Sequence, residues 1–252
     1  MLPVPHRHWS TGPASVRHYV LTRSAYSPDL PLEFNRYRLD LLRGITAASL
    51  RSQTHRDVTW LVLVDPADPL LREREDALCE SGLPFMTAPA GDIVRSDRQD
   101  RPWGPWDDYL DFSDATLTTR IDDDDAFAPW ALATFAEQGD RWTKRKRRRI
   151  FVLPVGYRVS DGRANLRHDK VNQFTTLYAP RGDRCSIMDM NHTGQRRLAQ
   201  LFMLSQRPAW LWLRHAGARS HMSKASNFER EAMQPISDEV RSLFAVDWSL
   251  IG

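Results

Sequence analysis

The sequence has little cysteine. Cys79 and Cys185 stand far apart in 252 residues, and no CxxC spacing occurs. A disulfide framework and a cysteine-built zinc site are therefore excluded, and a reduced, cytoplasmic compartment is expected. Long apolar runs are also missing. None approaches the roughly 20 residues a membrane-spanning helix needs, so any membrane contact is expected to be peripheral. Met1 to Ser10 lacks an apolar stretch, so we expect no secretory signal. Internal repeats are absent. So is a strong charge of one sign: Lys plus Arg number 35 and Asp plus Glu 32, a net of +3. So small a balance does not argue for a nucleic-acid partner.

Hydrophobic residues make up 41% of the chain, enough for a sizeable core. The length suits one α/β domain with a modest appendage. Residues 1–14 read as a flexible lead-in, 15–222 as the domain and 223–252 as a helical tail. His18 to Thr22 is a short β-prone run. Phe34, Tyr37, Leu41, Ile45 and Ala48 share one helical face, which predicts a helix over Leu32 to Ser52. Val58 to Val64 is apolar on both faces, the mark of a buried parallel strand, and ends in Asp65-Pro66. A helix is predicted from Pro69 to Ser81 and a strand over Phe85 to Ala88. This alternation of strand and helix predicts a mostly parallel sheet flanked by helices. Ligands of such sheets bind beyond the carboxyl ends of the strands. Thr22-Arg23, Asp65 and the run Asp122 to Asp125 all fall at predicted strand ends.

Further on, Ala115 to Ile121 reads as a strand, Pro129 to Gln138 as a helix, and Arg149 to Tyr157 and Gln173 to Tyr178 as strands. A helix is predicted from Asn191 or Thr193 to Ser205, and a strand over Trp210 to Arg214.

Four adjacent carboxylates repel one another, so Asp122, Asp123, Asp124 and Asp125 at a strand end call for a shared cation. Oxygen-rich sites select hard ions such as Mg²⁺ or Mn²⁺, which can bridge phosphates and neutralise a departing pyrophosphate group. Side chains two apart on an extended strand share a side, which pairs Asp122 with Asp124. A solvated acidic turn is the alternative.

The run Thr118-Thr119-Arg120-Ile121-Asp122-Asp123-Asp124-Asp125-Ala126-Phe127 resembles the T-R-[LI]-D-x-D-D-A-[LF] signature of the rhamnosyltransferase family, which belongs to the GT-A glycosyltransferases with a D-x-D motif. Other segments resemble it in order. These are His18 to Arg23, with Ser24 where the family has an aromatic residue, then Ser49-Leu50 with Gln53-Thr54, and Trp60 to Asp65. Asn172 to Leu177 and Trp210 to His215 follow. The resemblance covers Arg17 to Met222. It implies a GT-A, Rossmann-like, mixed but mostly parallel sheet in a single domain. It implies metal-dependent transfer of a sugar from a nucleotide-sugar donor to a saccharide, lipid-linked or other hydroxyl acceptor, with Mn²⁺ or Mg²⁺. Carried over, Asp122 faces the nucleotide and the metal, Asp124 binds the metal with Asp125 in support, and His215 completes the metal shell, with His221 next in line. Asp65 holds the nucleobase, and Thr22 and Arg23 line the same pocket. The family strand ends in Glu where Tyr178-Ala179 stands here, which leaves the catalytic base open. Asp189 is the candidate, with a helix-capping role as its alternative.

The basic run Lys144 to Arg149 reads as a solvated loop, or as a peripheral membrane contact through anionic lipid. Trp103 and Trp106 could stack on a sugar or pack in a core. Met188 and Met190 read as packing residues. Two other functions are weighed: a catalytically silent GT-A scaffold serving as a partner protein, motivated by Tyr178, and a basic nucleic-acid-binding module using the arginine-rich loop. The second lacks an aromatic-basic binding motif, so no nucleic-acid partner is expected.

Overall fold

The computed structural model describes residues 16–24, 30–90, 108–190, 193–215 and 233–251. The lead-in, Trp103, Trp106 and His221 lie outside them. The first half follows the predicted alternation: β1 (Arg17–Arg23), α1 (Leu32–Leu41), β2 (Thr59–Val64), α3 (Leu71–Cys79) and β3 (Phe85–Pro89). Between α1 and α2 (Ala48–Arg51) the helix widens to a π turn over Leu42–Ala47 without breaking. The helix forms because Leu39, Leu42, Ala47 and Leu50 bury against the sheet core around Val20, Trp60 and Val62. Each of these leucines contributes roughly 2 kcal/mol.

Among the described residues the strands form two sheets. The larger has seven strands in the order β10-β6-β9-β4-β1-β2-β3, adding β4 (Thr116–Arg120), β6 (Arg149–Val152), β9 (Thr175–Ala179) and β10 (Leu201–Met203). Only β9 runs against its neighbours, so the sheet is mixed and mostly parallel, flanked by α1, α3 and α4 (Ala131–Trp142). The smaller has five, in the order β12-β8-β7-β11-β5. These are β5 (Ala126–Phe127), β7 (Val155–Ser160), β8 (Arg163–His168), β11 (Trp210–Leu213) and β12 (Gln234–Pro235).

Two of the chain's passages between the sheets are short. Arg149 to Tyr157, read as one strand, is two: β6 lies in the large sheet and β7 in the small one, with Leu153-Pro154 between. Proline has no N–H to give a ladder, so pairing stops there. The other crossing is the acidic run itself, which joins β4 to β5. Asp161 and Gly162, both at positive φ, turn β7 into β8, a hairpin the hydrophobic pattern alone did not suggest.

Two sequence readings are corrected. Thr193 to Ser205 is no helix but a single turn at Gln195–Arg197 followed by β10. Phe151 and Val152 of β6 offer an open edge, and pairing there with Phe202 and Met203 outweighs local helical spacing. In the tail, β12 pairs with β8 before a short helix α5 (Asp238–Leu243). Among the described residues no helix is long and apolar enough to cross a membrane.

His18 gives a pH dependence. It is buried in β1, its Nε2 lies 2.7 Å from the Thr119 hydroxyl, and its ring stacks on His55 at 5.5 Å. Burial, with His55 adding to it, lowers its pKa to about 3. Unfolded, it takes up a proton near pH 6.5. Between those values the unfolded chain holds more protons, so stability falls as pH drops below about 6.5. Urea unfolding at pH 7 and pH 5 should show a loss from this residue of about 2 kcal/mol. His18→Asn should remove that part of the difference; an unchanged slope overturns the assignment.

Candidate active site

The carboxyl edge of the large sheet gathers most of the predicted residues. Leu21 pairs with Arg120 and Thr22 with Val62, and Ile121 N–H donates to the Leu21 carbonyl at 3.1 Å. Thr22 and Arg23 therefore end beside Asp122, with Asp65 at the end of the neighbouring β2. Thr22 is fully buried, and its hydroxyl accepts from the Trp60 indole at 2.9 Å. Asp65 turns its carboxylate back on the Ala67 N–H at 2.9 Å.

The four aspartates have four environments. Asp122 is half-buried, and its carboxylate accepts from Arg120 at 3.0 Å. Asp123 and Asp124 are buried and face a guanidinium from α1: Arg38 Nη1 donates to Asp124 Oδ2 at 2.7 Å, and Nη2 contacts Asp123 Oδ1. Asp125 is buried between elements, its Oδ1 accepting from Leu213 N–H at 3.1 Å and its Oδ2 from Gln173 at 2.7 Å. It thereby ties the acidic turn to β11 and to the approach to β9. Burial pushes the Asp125 carboxyl well above the usual range, and the charges of Asp124 and Asp122 add to this. Burial raises Asp124 as well, but Arg38 and His215 outweigh it and hold the carboxyl below its ordinary value.

The π turn supports this constellation. Thr46 donates to the carbonyls of Asp125 at 2.9 Å and Asp122 at 3.2 Å. Gln53 bonds the Ala128 carbonyl at 3.0 Å and accepts from Leu132 N–H at 3.1 Å, so it pins the start of α4. The S-L-x-x-Q-T segment thus anchors the turn.

His215 arrives just after β11. Its Nε2 lies 2.9 Å from Asp124 Oδ2 and 2.8 Å from Arg38 Nη1, with Tyr37 edge-on at 5.3 Å. The expected metal set is therefore divided: Asp124 and His215 meet, while Asp122 turns to Arg120. Among the described residues no three His, Cys, Asp or Glu side chains converge as a metal centre. The pair still fits an ion. Ligands at about 2.1 Å and at right angles lie about 3 Å apart, and Mg²⁺ commonly takes one or two protein ligands, with phosphates and water completing the shell.

Arg38 escaped the sequence reading, although a signal existed. It stands three and four residues before Leu41 and Leu42, at an apolar phase of the helix, where a charge needs a partner. Asp189 stands apart from this group. Its Oδ2 accepts Ser186 N–H at 2.9 Å in a capping box, and its charge acts on Arg148 and Cys185, where β6 begins. Tyr178 pairs with Leu117 in antiparallel register, five residues before Asp122. The place of the family's Glu thus lies toward the opposite end of the sheet from the acidic turn. The Tyr178 departure says nothing about the base, and the silent-scaffold alternative loses the feature that suggested it. The basic loop lies at that same far end, where Trp142, Lys144, Arg145, Lys146, Arg147 and Arg149 line a pocket of about 440 Å³.

The family described as "Putative rhamnosyl transferase" matches residues 33–227. Similar solved structures include TarS of S. aureus, at 11% identity over 79% of this chain and 37% of that one, with a TM-score of 0.44. A cytidylyltransferase from Leptospira borgpetersenii serovar Hardjo-bovis follows at 10% identity, over 77% of each chain, with a TM-score of 0.40. HddC from Yersinia pseudotuberculosis has 12% identity over 78% of this chain and 89% of that one, with a TM-score of 0.28. The chain spans only 37% of the length of TarS, and likenesses at these scores carry no argument. No curated protein matches it.

Proposed function

This chain belongs to the rhamnosyl transferase family, and we propose that it is a glycosyltransferase that moves a sugar from a nucleoside-diphosphate sugar to an acceptor hydroxyl with the help of Mn²⁺ or Mg²⁺. The observation that carries this reading is the crossing from β4 to β5. There a buried carboxylate, Asp124, meets His215 at 2.9 Å on the edge where Thr22, Arg23 and Asp65 also end. In this reading Arg23 and Asp65 line the nucleotide pocket, with Thr22 supporting them from inside the sheet, and Asp122 faces the nucleotide. Asp124 and His215 would hold the ion, which supplies positive charge to the leaving diphosphate.

The chain's own part is to bind, orient and exclude water. Asp125, held between Leu213 N–H and Gln173, keeps the turn rigid. Tyr37 closes one side of His215. The acceptor side is drawn from hydroxyl-bearing saccharides or lipid-linked sugars. Contact with an anionic membrane surface through Lys144 to Arg149 remains a proposal of its own. Because that loop lies toward the far end of the sheet, such contact would turn the acidic edge away from the lipid.

A thermal-shift screen of nucleotide sugars, with and without Mn²⁺, tests the reading. A ligand of the native state raises its melting temperature by mass action. At a hundred times its dissociation constant it adds about 2.7 kcal/mol. A shift of roughly 5–10 °C is expected for the correct donor in a domain of this size. No shift with any nucleotide sugar, in either condition, would sink the proposal.

A further inference from the structure

The contacts of Arg38 cannot all be satisfied together. With Asp124 ionised, its Oδ2, Arg38 Nη1 and His215 Nε2 lie within 2.7 to 2.9 Å of one another. If Nε2 carries a hydrogen it can donate to Asp124, but then it meets an Arg38 N–H head-on. If it carries a lone pair it can accept from Arg38, but then it faces a carboxylate oxygen as a second acceptor. One of the three contacts is always unmade. The same guanidinium also spans two buried carboxylates, Asp123 and Asp124. Among the described residues Arg38 Nε, also buried, has no hydrogen-bond partner.

A divalent ion beside Asp124 and His215 would let both act as acceptors and would add two positive charges where a diphosphate would bind. The guanidinium holds that place, and its chemistry matches phosphate oxygens well. We propose that Arg38 is a built-in counter-ion that competes with the divalent ion for Asp124 and His215 and passes to the donor's phosphates, so that ion and nucleoside diphosphate bind strongly only together. This rests on the donor-site reading above. It adds a coupling between the two ligands, carried by one side chain. Such coupling is reciprocal: whatever factor the nucleotide adds to ion affinity, the ion adds to nucleotide affinity.

The test is Mn²⁺ binding, followed by calorimetry and by the electron paramagnetic resonance of the free ion. It is run on the full chain with MnCl₂ alone and with UDP, GDP or dTDP. In the wild type, Mn²⁺ alone should bind weakly and the fitting nucleotide should tighten it at least tenfold. Arg38→Gln should bind Mn²⁺ alone at least tenfold more tightly than wild type and lose most of the tightening by nucleotide. Arg38→Lys, which keeps the charge but not the fork, should bind Mn²⁺ alone more weakly than Arg38→Gln and keep part of the tightening by nucleotide. A merely structural arginine gives the opposite sign, with weaker ion binding once the turn loosens. If Arg38→Gln does not fold, the wild-type comparison with and without nucleotide decides alone. The inference is overturned if Mn²⁺ binds the wild type equally well without nucleotide, or if Arg38→Gln gains no ion affinity. In either case a nucleotide that binds with Mn²⁺ leaves the donor-site reading standing. If neither Mn²⁺ nor any nucleotide binds, both fall.

Discussion

Asp124→Asn should lower transfer from the correct nucleotide sugar by roughly a hundred- to a thousandfold, the usual loss when one well-placed electrostatic partner is removed from a reacting centre. Asparagine keeps the shape and one acceptor oxygen, so Arg38 retains Asp123 and the turn stays in place. What disappears is the negative charge shared by Arg38 and His215. The measurement is release of the nucleoside diphosphate from the donor, alongside a melting curve. A melting temperature within a few degrees of wild type together with lost transfer assigns Asp124 to the reaction. Unchanged transfer removes Asp124 from the site and takes the ion-binding role of His215 with it. Asp122→Asn offers a contrast, because its carboxylate is tied to Arg120 and half-exposed. It should weaken nucleotide binding more than Mn²⁺ binding.

The second large effect lies one strand away and concerns stability. Arg74 on α3 and Asp68 in the turn after β2 form an ion pair in which both side chains are about 1% exposed. Arg74 also donates to the Ser24 hydroxyl at 2.9 Å, and Asp68 accepts from Leu70 N–H at 2.9 Å. Ser24 is the residue that departs from the family's aromatic position, and here it serves as a partner for this arginine. Arg74→Met leaves Asp68 buried without its cation. Such a break costs about 3–5 kcal/mol, which in a domain of this size lowers the melting temperature by roughly 10 °C. The double variant Arg74→Met with Asp68→Leu removes both charges and should recover much of that loss. Calorimetric melting of the single and double variants measures the coupling. A double variant no more stable than the single one would show that the pair does not set the cost.

The two buried arginines differ in what they face. Arg74 meets the Asp68 carboxylate and the Ser24 hydroxyl, and these contacts can be made together. Arg38 meets two carboxylates and an imidazole that competes for the same hydrogen bonds. Matched burial makes a support. Mismatched burial leaves a place where a ligand can lower the energy.

Much of the fold could be read from local spacing. The helical phase of Tyr37, Leu41 and Ile45, the doubly apolar run Val58 to Val64, and the break at Gly82 are properties of neighbours in sequence. They predicted the parallel half of the large sheet. The reading failed where pairing partners decide the outcome. Leu201 to Met203 becomes a strand because β6 offers an open edge. Leu153-Pro154 divides one apparent strand between two sheets.

The candidate site divides along the same line. The sequence by itself determined that four carboxylates end a buried strand, that Asp65 and Thr22-Arg23 end two earlier strands, and that His215 follows a late strand. Those statements need only chain order and the rule that parallel strands share an edge. The tertiary structure alone decided that the acidic run is a crossing between the two sheets and that Asp122 pairs with Arg120 while Asp124 meets Arg38 and His215. It also decided that Tyr178 and Asp189 lie away from the acidic edge and that Arg38 reaches Asp123 and Asp124 across 85 and 86 residues. The physical reason is that a buried charge chooses its partner by position in space. Hydrophobic periodicity records which face of a helix turns inward, but not what waits there.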